Sequence, residues 1–196
     1  VSGMTALQML REAAALRSGQ KVLITGAGGG VGSYAVQIAK VDGAQVTAVC
    51  STAKTDFVRS LGADEVIDYT RSGVDLGPGP YDAVIDIAGH RPLADLRRVL
   101  TPRGVVVFVG AEVPGVLGGM GRPLKALALS PFVGQTFKNP VSRTKVSDLD
   151  TLRELVESGS VKPAVDVTYP LAEVPQAIRD LRQARIKGKA VILVEE

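Results

Sequence analysis

The stretch Lys21-Val22-Leu23-Ile24-Thr25-Gly26-Ala27-Gly28-Gly29-Gly30-Val31-Gly32 decides the fold. A short apolar run ends in a glycine cluster, and Val31, Ala35, Ile38 and Ala39 then follow at helical spacing. That order predicts a strand, a tight loop and a helix. Glycines are required there if the chain turns sharply, if its backbone approaches a pyrophosphate, and if the helix packs close to the strand. The N-terminus of the helix then offers N–H groups and partial positive charge to phosphates. Registered on the helix start, the loop reads Ala27-x-Gly29-x-x-Gly32, with alanine in place of the first glycine of the dinucleotide fingerprint. Ala27, Gly28, Gly29, Gly30, Val31 and Gly32 are therefore the expected pyrophosphate-binding residues. The plainer alternative is a tight strand–helix turn with no ligand.

The same alternation continues outward from this unit. A helix is predicted over 5–16, with Leu7, Leu10 and Ala14 on one face and Ser18-Gly19 at its end. Further strands are predicted at Gln45 to Val49, Glu65 to Asp68, Tyr81 to Ile87 and Gly104 to Val109, with helices at 52–61 and 91–100 between them. Strands that are continuously apolar and alternate with helices signal a parallel sheet covered on both faces. The expected fold is α/β, a Rossmann-type doubly wound parallel sheet. After Gly110 the pattern changes to a Gly/Pro-rich loop over 111–123, a short helix over 123–130 and a strand from Phe132 to Phe137. Ser147 is expected to cap a helix carrying Leu149, Leu152, Leu155 and Val156. An extended stretch over 162–169, a helix with Leu171, Val174, Ile178 and Leu181, and a strand from Ala190 to Val194 complete the chain.

Composition excludes several classes. The chain has 196 residues, of which 45% are hydrophobic and 22% charged, as in ordinary globular proteins. Its longest apolar run, Gly104 to Ala111, is far too short to span a membrane. The first residues lack the charged start and apolar core of a signal peptide. The net charge of +3 is spread along the chain without aromatic–basic runs, which argues against nucleic acid as a partner. A single cysteine, Cys50, and a single histidine, His90, leave no internal disulfide and no multi-ligand zinc site of those residue types. A cytoplasmic, reducing compartment is expected.

A second signal is an absence. Dinucleotide folds that use NAD place an acid at the end of the second strand to hold the ribose hydroxyls. Here that place reads Cys50-Ser51-Thr52-Ala53-Lys54, without a carboxylate. Lys54 falls in the first turn of the next helix, where the dipole disfavours a cation, and a bound 2′-phosphate would explain it. Ser51 and Thr52 are placed both to cap that helix and to donate to the phosphate. The cofactor expected is NADPH, with a solvated lysine as the alternative. His90 reads as a loop histidine near the cofactor rather than an acid or base, and Cys50 as a small strand-end residue rather than a nucleophile. No catalytic residue is assignable.

The run Thr25-Gly26-x-x-x-Gly30-x-Gly32 also fits short-chain dehydrogenases, which require Tyr-x-x-x-Lys. The four tyrosines here are followed four places on by Ile38, Gly73, Ile85 and Glu173, so that chemistry is missing. The chain instead resembles the medium-chain dehydrogenase/reductase superfamily in its zinc-free quinone-oxidoreductase branch. The resemblance rests on Ser2-Gly3-Met4-Thr5-Ala6, Gly28-Gly29-Gly30-Val31-Gly32 with Ala35-x-Gln37-x-Ala39-Lys40, Leu61-Gly62-Ala63-Asp64, Ile67-Asp68-Tyr69 and Gly188-Lys189-Ala190-Val191.

The resemblance implies roles and an architecture. Ser51, Lys54 and Tyr69 match positions that hold a 2′-phosphate. Backbone at Ile87, Ala88, Phe108, Val109 and Gly110 would line the adenosine and nicotinamide ends. Val1 stands where zinc-dependent relatives carry a metal-binding cysteine, so no metal is expected. Residues 1–140 would form the dinucleotide-binding domain and 141–196 the C-terminal return into a catalytic domain whose N-terminal part is missing. The implied activity is hydride transfer from NADPH to a small-molecule quinone or α,β-unsaturated carbonyl. A homodimer through the edge strand near 132–137 is also implied. The rivals are a zinc-dependent alcohol dehydrogenase with ligands in the missing part, and an NADPH-binding module without turnover.

Overall fold

Strands β1 (Lys21–Thr25), β2 (Gln45–Cys50), β3 (Glu65–Asp68), β4 (Tyr81–Asp86), β5 (Leu100–Phe108) and β6 (Thr136–Lys138) form a six-stranded sheet among the described residues, in the order β3-β2-β1-β4-β5-β6. The computed structural model describes residues 1–73, 75–89, 91–109 and 134–194. His90, Gly110, the Gly/Pro-rich loop, the helix at 123–130 and the start of the strand at 132 lie outside the described residues. Every strand pair in the sheet is parallel.

The apolar runs make this arrangement necessary. Alternate side chains of a strand point to opposite faces. Val22, Ile24, Val46, Ala48, Ala83, Ile85 and Val107 enter one core cluster, while Leu23, Val49, Val84, Val106 and Phe108 enter the other. The first cluster is covered by α1 (Ser2–Gln8), α2 (Gly32–Val41) and α3 (Thr55–Ser60), through Leu7, Val36, Ile38 and Val58. The second is covered by α5 (Leu93–Arg98) through Leu96. A short helix, α4 (Tyr69–Ser72), follows β3 with Asp68 accepting from the Thr70 N–H at its start. The sheet is thus doubly wound, as its sequence implies.

The C-terminal part adds α6 (Val146–Glu157) and a separate two-stranded parallel sheet of β7 (Val165–Pro170) and β8 (Lys189–Leu193), with α7 (Val174–Arg182) between them. Two glutamines tie this part to the first helices. Gln8 Nε2 donates to Arg143 O and to Asp148 Oδ2, both at 2.6 Å, and its Oε1 accepts from Ser142 Oγ and the Arg143 N–H. Gln37 brackets the Lys162 backbone, donating to its O at 3.0 Å and accepting from its N–H at 2.8 Å.

Several expectations differ in detail. The first helix begins at Ser2 and continues beyond Gln8 as a π-helical turn, Met9–Ala13. Strand β5 begins at Leu100, earlier than Gly104, with its register shifted where it passes Pro102. Ser147 does not cap α6; the helix starts at Val146 with Lys145 at the cap position and no side-chain cap bond. The Gln8 network holds that end of the helix through Asp148 instead. Among the described residues no helix is long and apolar enough to cross a membrane.

Candidate functional site

The strand order reverses between β1 and β4, and a crevice outside the carboxyl ends of the strands opens at such a reversal. A cleft of about 570 Å³ lies there. Thr25, Gly26 and Gly28 line it from the end of β1, Val49, Cys50, Ser51 and Lys54 from β2, and Tyr69 and Gly73 from β3. Ala88, Arg91, Pro92 and Asp95 close the β4 side, and Ala184 reaches it from the C-terminal part. Of the residues expected from sequence, Gly28, Ser51, Lys54, Tyr69 and Ala88 therefore meet in one cleft.

The glycine loop divides its work among positions. Gly26 has φ +67°, the left-handed region that glycine tolerates, and makes the turn out of β1. Gly29 is the open position: an added Cβ would approach only Gly26 O, at 3.4 Å. Gly32 is the crowded one, where a Cβ would lie 2.3 Å from Gly26 O and 2.6 Å from Ala27 Cα. Ala27 is fully buried in the core, and its N–H donates to Val49 O at 3.2 Å. Its methyl is thus a core group, which accounts for alanine where the fingerprint has glycine. Gly30 and Val31 lead into α2, with Val31 at its N-cap.

Lys54 sits where a Thr52–Lys54 3₁₀ turn passes into α3. Its stem lies over Gly28, and its ammonium donates to Ile186 O at 2.6 Å and Gly28 O at 3.4 Å. Burial lowers its pKa, opposed by the charge of Asp166. Protein carbonyls thus account for part of what a phosphate alone was expected to explain. The capping expectation for Ser51 and Thr52 is not met. Neither makes a side-chain cap bond; Thr52 Oγ1 turns instead to Asp68 Oδ2 at 2.5 Å and lies 2.6 Å from Thr70 Oγ1. Those two hydroxyls hold the Asp68 carboxyl below the usual carboxylate range. Ser51 still lines the cleft, and Tyr69 beside it is 48% exposed.

Ile87 and Ala88 form the bend after β4. Thr25 Oγ1 accepts from the Ala88 N–H at 3.2 Å and donates to the buried Asp86 Oδ1 at 2.8 Å. Phe108 and Val109 are buried at the end of β5 and do not line the cleft. Burial, reinforced by Asp68, pushes the Cys50 thiol up to about 11, so it stays protonated near neutral pH and is a poor nucleophile. Sequence reasoning missed Arg91, whose Nη2 donates to Gly73 O at 2.6 Å across the cleft mouth, and Ala184. Arg91 had a usable signal, since it lies just past the fourth strand. Ala184 had none, being a non-glycine residue at φ +54°. Among the described residues no group of three or more His, Cys, Asp or Glu could hold a metal ion.

Comparison with known proteins agrees with this architecture. Residues 61–192 match a family model described as zinc-binding dehydrogenase. The human mitochondrial NAD(P)H oxidoreductase RTN4IP1 is 33% identical over 192 residues, covering 90% of this chain and 48% of that protein. An Arabidopsis thaliana chloroplast envelope quinone oxidoreductase homolog is 35% identical over 201 residues, covering 98% of this chain and 59% of that protein. The quinone oxidoreductase from Coxiella burnetii superposes with a TM-score of 0.85 at 26% identity, covering 100% of this chain and 59% of that one. A mycobacterial protein solved in complex with NADPH gives 0.81 at 27% identity, over 99% and 62%. The chain thus spans about half the length of the first curated relatives it matches. With the reversal-point cleft, the glycine loop and these matches together, the chain belongs to the medium-chain dehydrogenase/reductase superfamily, in its quinone-oxidoreductase branch.

Proposed function

We propose that this chain is the NADPH-binding part of an oxidoreductase that transfers a hydride to a quinone or an α,β-unsaturated carbonyl. One observation carries the reading: an open glycine loop and a lysine–tyrosine pair share a cleft whose second strand ends without a carboxylate. The loop fits a pyrophosphate, since Gly29 leaves its backbone uncovered and the first turn of α2 follows. Ala27 to Gly32 hold the pyrophosphate. Ser51, Lys54 and Tyr69 meet the 2′-phosphate, with Thr52 supporting them through Asp68 and Thr70. The backbone at Ile87 and Ala88 borders the rest of the cofactor. The nicotinamide, when bound, supplies the hydride. The protein orients it and excludes water.

Relatives named as NAD(P)H oxidoreductase, quinone oxidoreductase homolog and trans-enoyl reductase support this acceptor class. The substrate pocket is completed by a catalytic domain to which residues 141–196 return, and no zinc takes part, as Val1 in place of a ligand cysteine suggests. The single buried thiol supports a reducing compartment, the cytoplasm in this reading. The test is a screen of NADPH consumption by the full-length protein against quinones, enones and aldehydes, with its metal content measured alongside. Turnover with quinones or enones in metal-free protein is expected. Activity confined to alcohols and aldehydes, with bound zinc, would establish the alcohol-dehydrogenase rival, and NADPH binding without any turnover would leave a binding module.

The assembly is read as a homodimer through the edge near 132–137. β6 pairs with β5 on one side, and exposed strand edges are pairing surfaces. Sedimentation of the purified protein is expected to give a dimer whose mass holds on dilution; a monomer at all concentrations would sink this assignment.

A further inference from the structure

Lys54 is anchored from a part of the chain remote in sequence. Its ammonium donates to Ile186 O, and the Gly188 N–H donates to Gly28 O at 3.0 Å. Cation, glycine loop and the turn 186–188 therefore form one closed set of contacts at the cleft wall. The turn is itself held. The Lys187 N–H donates to Asp166 Oδ2 at 2.9 Å. Gly188 has φ +68°, and a Cβ there would lie 2.4 Å from Ala164 O. An ammonium has three donors, and carbonyls of Ile186 and Gly28 engage two of them. The stem is pinned over Gly28, so a long side chain that would lose rotamer freedom on meeting a phosphate has already lost it.

We infer that the turn Ile186–Gly188 is a positioning element for Lys54, so that preference for a 2′-phosphorylated dinucleotide is set by the turn together with the lysine. This rests on the NADPH reading above. A dinucleotide without the 2′-phosphate makes no use of the ammonium, so disturbing the turn weakens NADPH more than NADH, while any loosening of the glycine loop through Gly28 O falls on both.

The experiment is isothermal titration of NADPH and NADH into the full-length protein, wild type and four variants. Lys54→Ala reports the phosphate contact itself. Gly188→Ala forces a Cβ into the Ala164 carbonyl, and NADPH is expected to weaken about tenfold more than NADH. Asp166→Ala and Asp166→Asn both remove a charge near Lys54, but asparagine keeps an acceptor for the Lys187 N–H. The NADPH-to-NADH affinity ratio is expected to fall about fivefold in the alanine variant relative to the asparagine one. Asp166 is exposed, so this pair decides the matter even if Gly188→Ala fails to fold. Equal ratios for Asp166→Ala and Asp166→Asn, or equal losses for both cofactors, would overturn the positioning role. If wild type prefers NADPH and only Lys54→Ala removes the preference, the cofactor reading stands and the turn has no part in it. A wild type without NADPH preference would remove both.

Discussion

Lys54→Ala is expected to weaken NADPH binding by about 10- to 150-fold more than it weakens NADH binding. A 2′-phosphate carries close to two negative charges near neutral pH, and in the proposed binding mode the ammonium meets it with a charge-assisted hydrogen bond. Losing such a partner costs roughly 1.5–3 kcal/mol, which sets the range. Tyr69, half exposed at the same cleft, adds a neutral hydroxyl and a smaller share. Lys54 also has work that any cofactor would feel: its stem covers Gly28 and its ammonium holds Ile186 O. Truncation therefore has a second component, a looser cleft wall, which falls on both cofactors alike. Titration of NADPH and NADH against both proteins separates the two. Equal losses would assign Lys54 to the fold rather than to the phosphate, and tight NADH binding by the unmodified protein would remove the premise.

The parts of this molecule legible in its sequence are those whose cause is local. Strands such as Val22-Leu23-Ile24 and Ala83-Val84-Ile85 are apolar at every position because helices cover both faces of the sheet. The glycine loop is legible because three backbone demands fall within a few residues. The missing acid after β2 could be counted directly at Cys50 and Ser51. What escaped depends on partners far along the chain. Thr52 looked like a cap, but its hydroxyl is drawn off by Asp68 and Thr70, which arrive through the β2–β3 pairing. Ser147 looked like a cap until Gln8, more than a hundred residues earlier, engaged Asp148. Lys54 looked like a cation awaiting an anion, and Ile186 partly satisfies it. No periodicity or spacing near these residues encodes such contacts, so the cleft could be located from sequence while its internal wiring could not.

That wiring makes one glycine more consequential than its neighbours. Gly32→Ala is expected to raise the cofactor dissociation constant by about two orders of magnitude in a protein that still folds. The added Cβ would stand 2.3 Å from Gly26 O, 2.6 Å from Ala27 Cα and 2.8 Å from Ala27 C, all backbone atoms that no rotamer change can clear. Either α2 moves away from the loop or the loop moves toward the cleft. α2 is fixed on its far side by buried Val36 and Ile38 and by the Gln37 bracket on Lys162. Among the described residues the loop is hydrogen-bonded to β2 through the Ala27 N–H to Val49 O and to the cleft wall through Gly28 O, fewer ties than hold α2, so the loop yields first. A shift of the order of 1 Å there misplaces every N–H aimed at the pyrophosphate, and losing one or two such bonds to a charged group, at roughly 1.5–3 kcal/mol each, costs about 10²-fold in affinity. Overpacking itself destabilises by about 1–3 kcal/mol, a fall in Tm of roughly 2–12 °C for a domain of this size. Both cofactors share the pyrophosphate, so NADPH and NADH should weaken together, the opposite signature to Lys54→Ala. Gly29→Ala, where the nearest protein atom to the new Cβ is at 3.4 Å, serves as the contrast. It should leave Tm within about 1 °C, because open space costs no packing energy, while its methyl still meets the incoming phosphate. Calorimetry and titration on the two variants check this, and a Gly32→Ala protein with unchanged affinity would mean that the loop does not carry the cofactor.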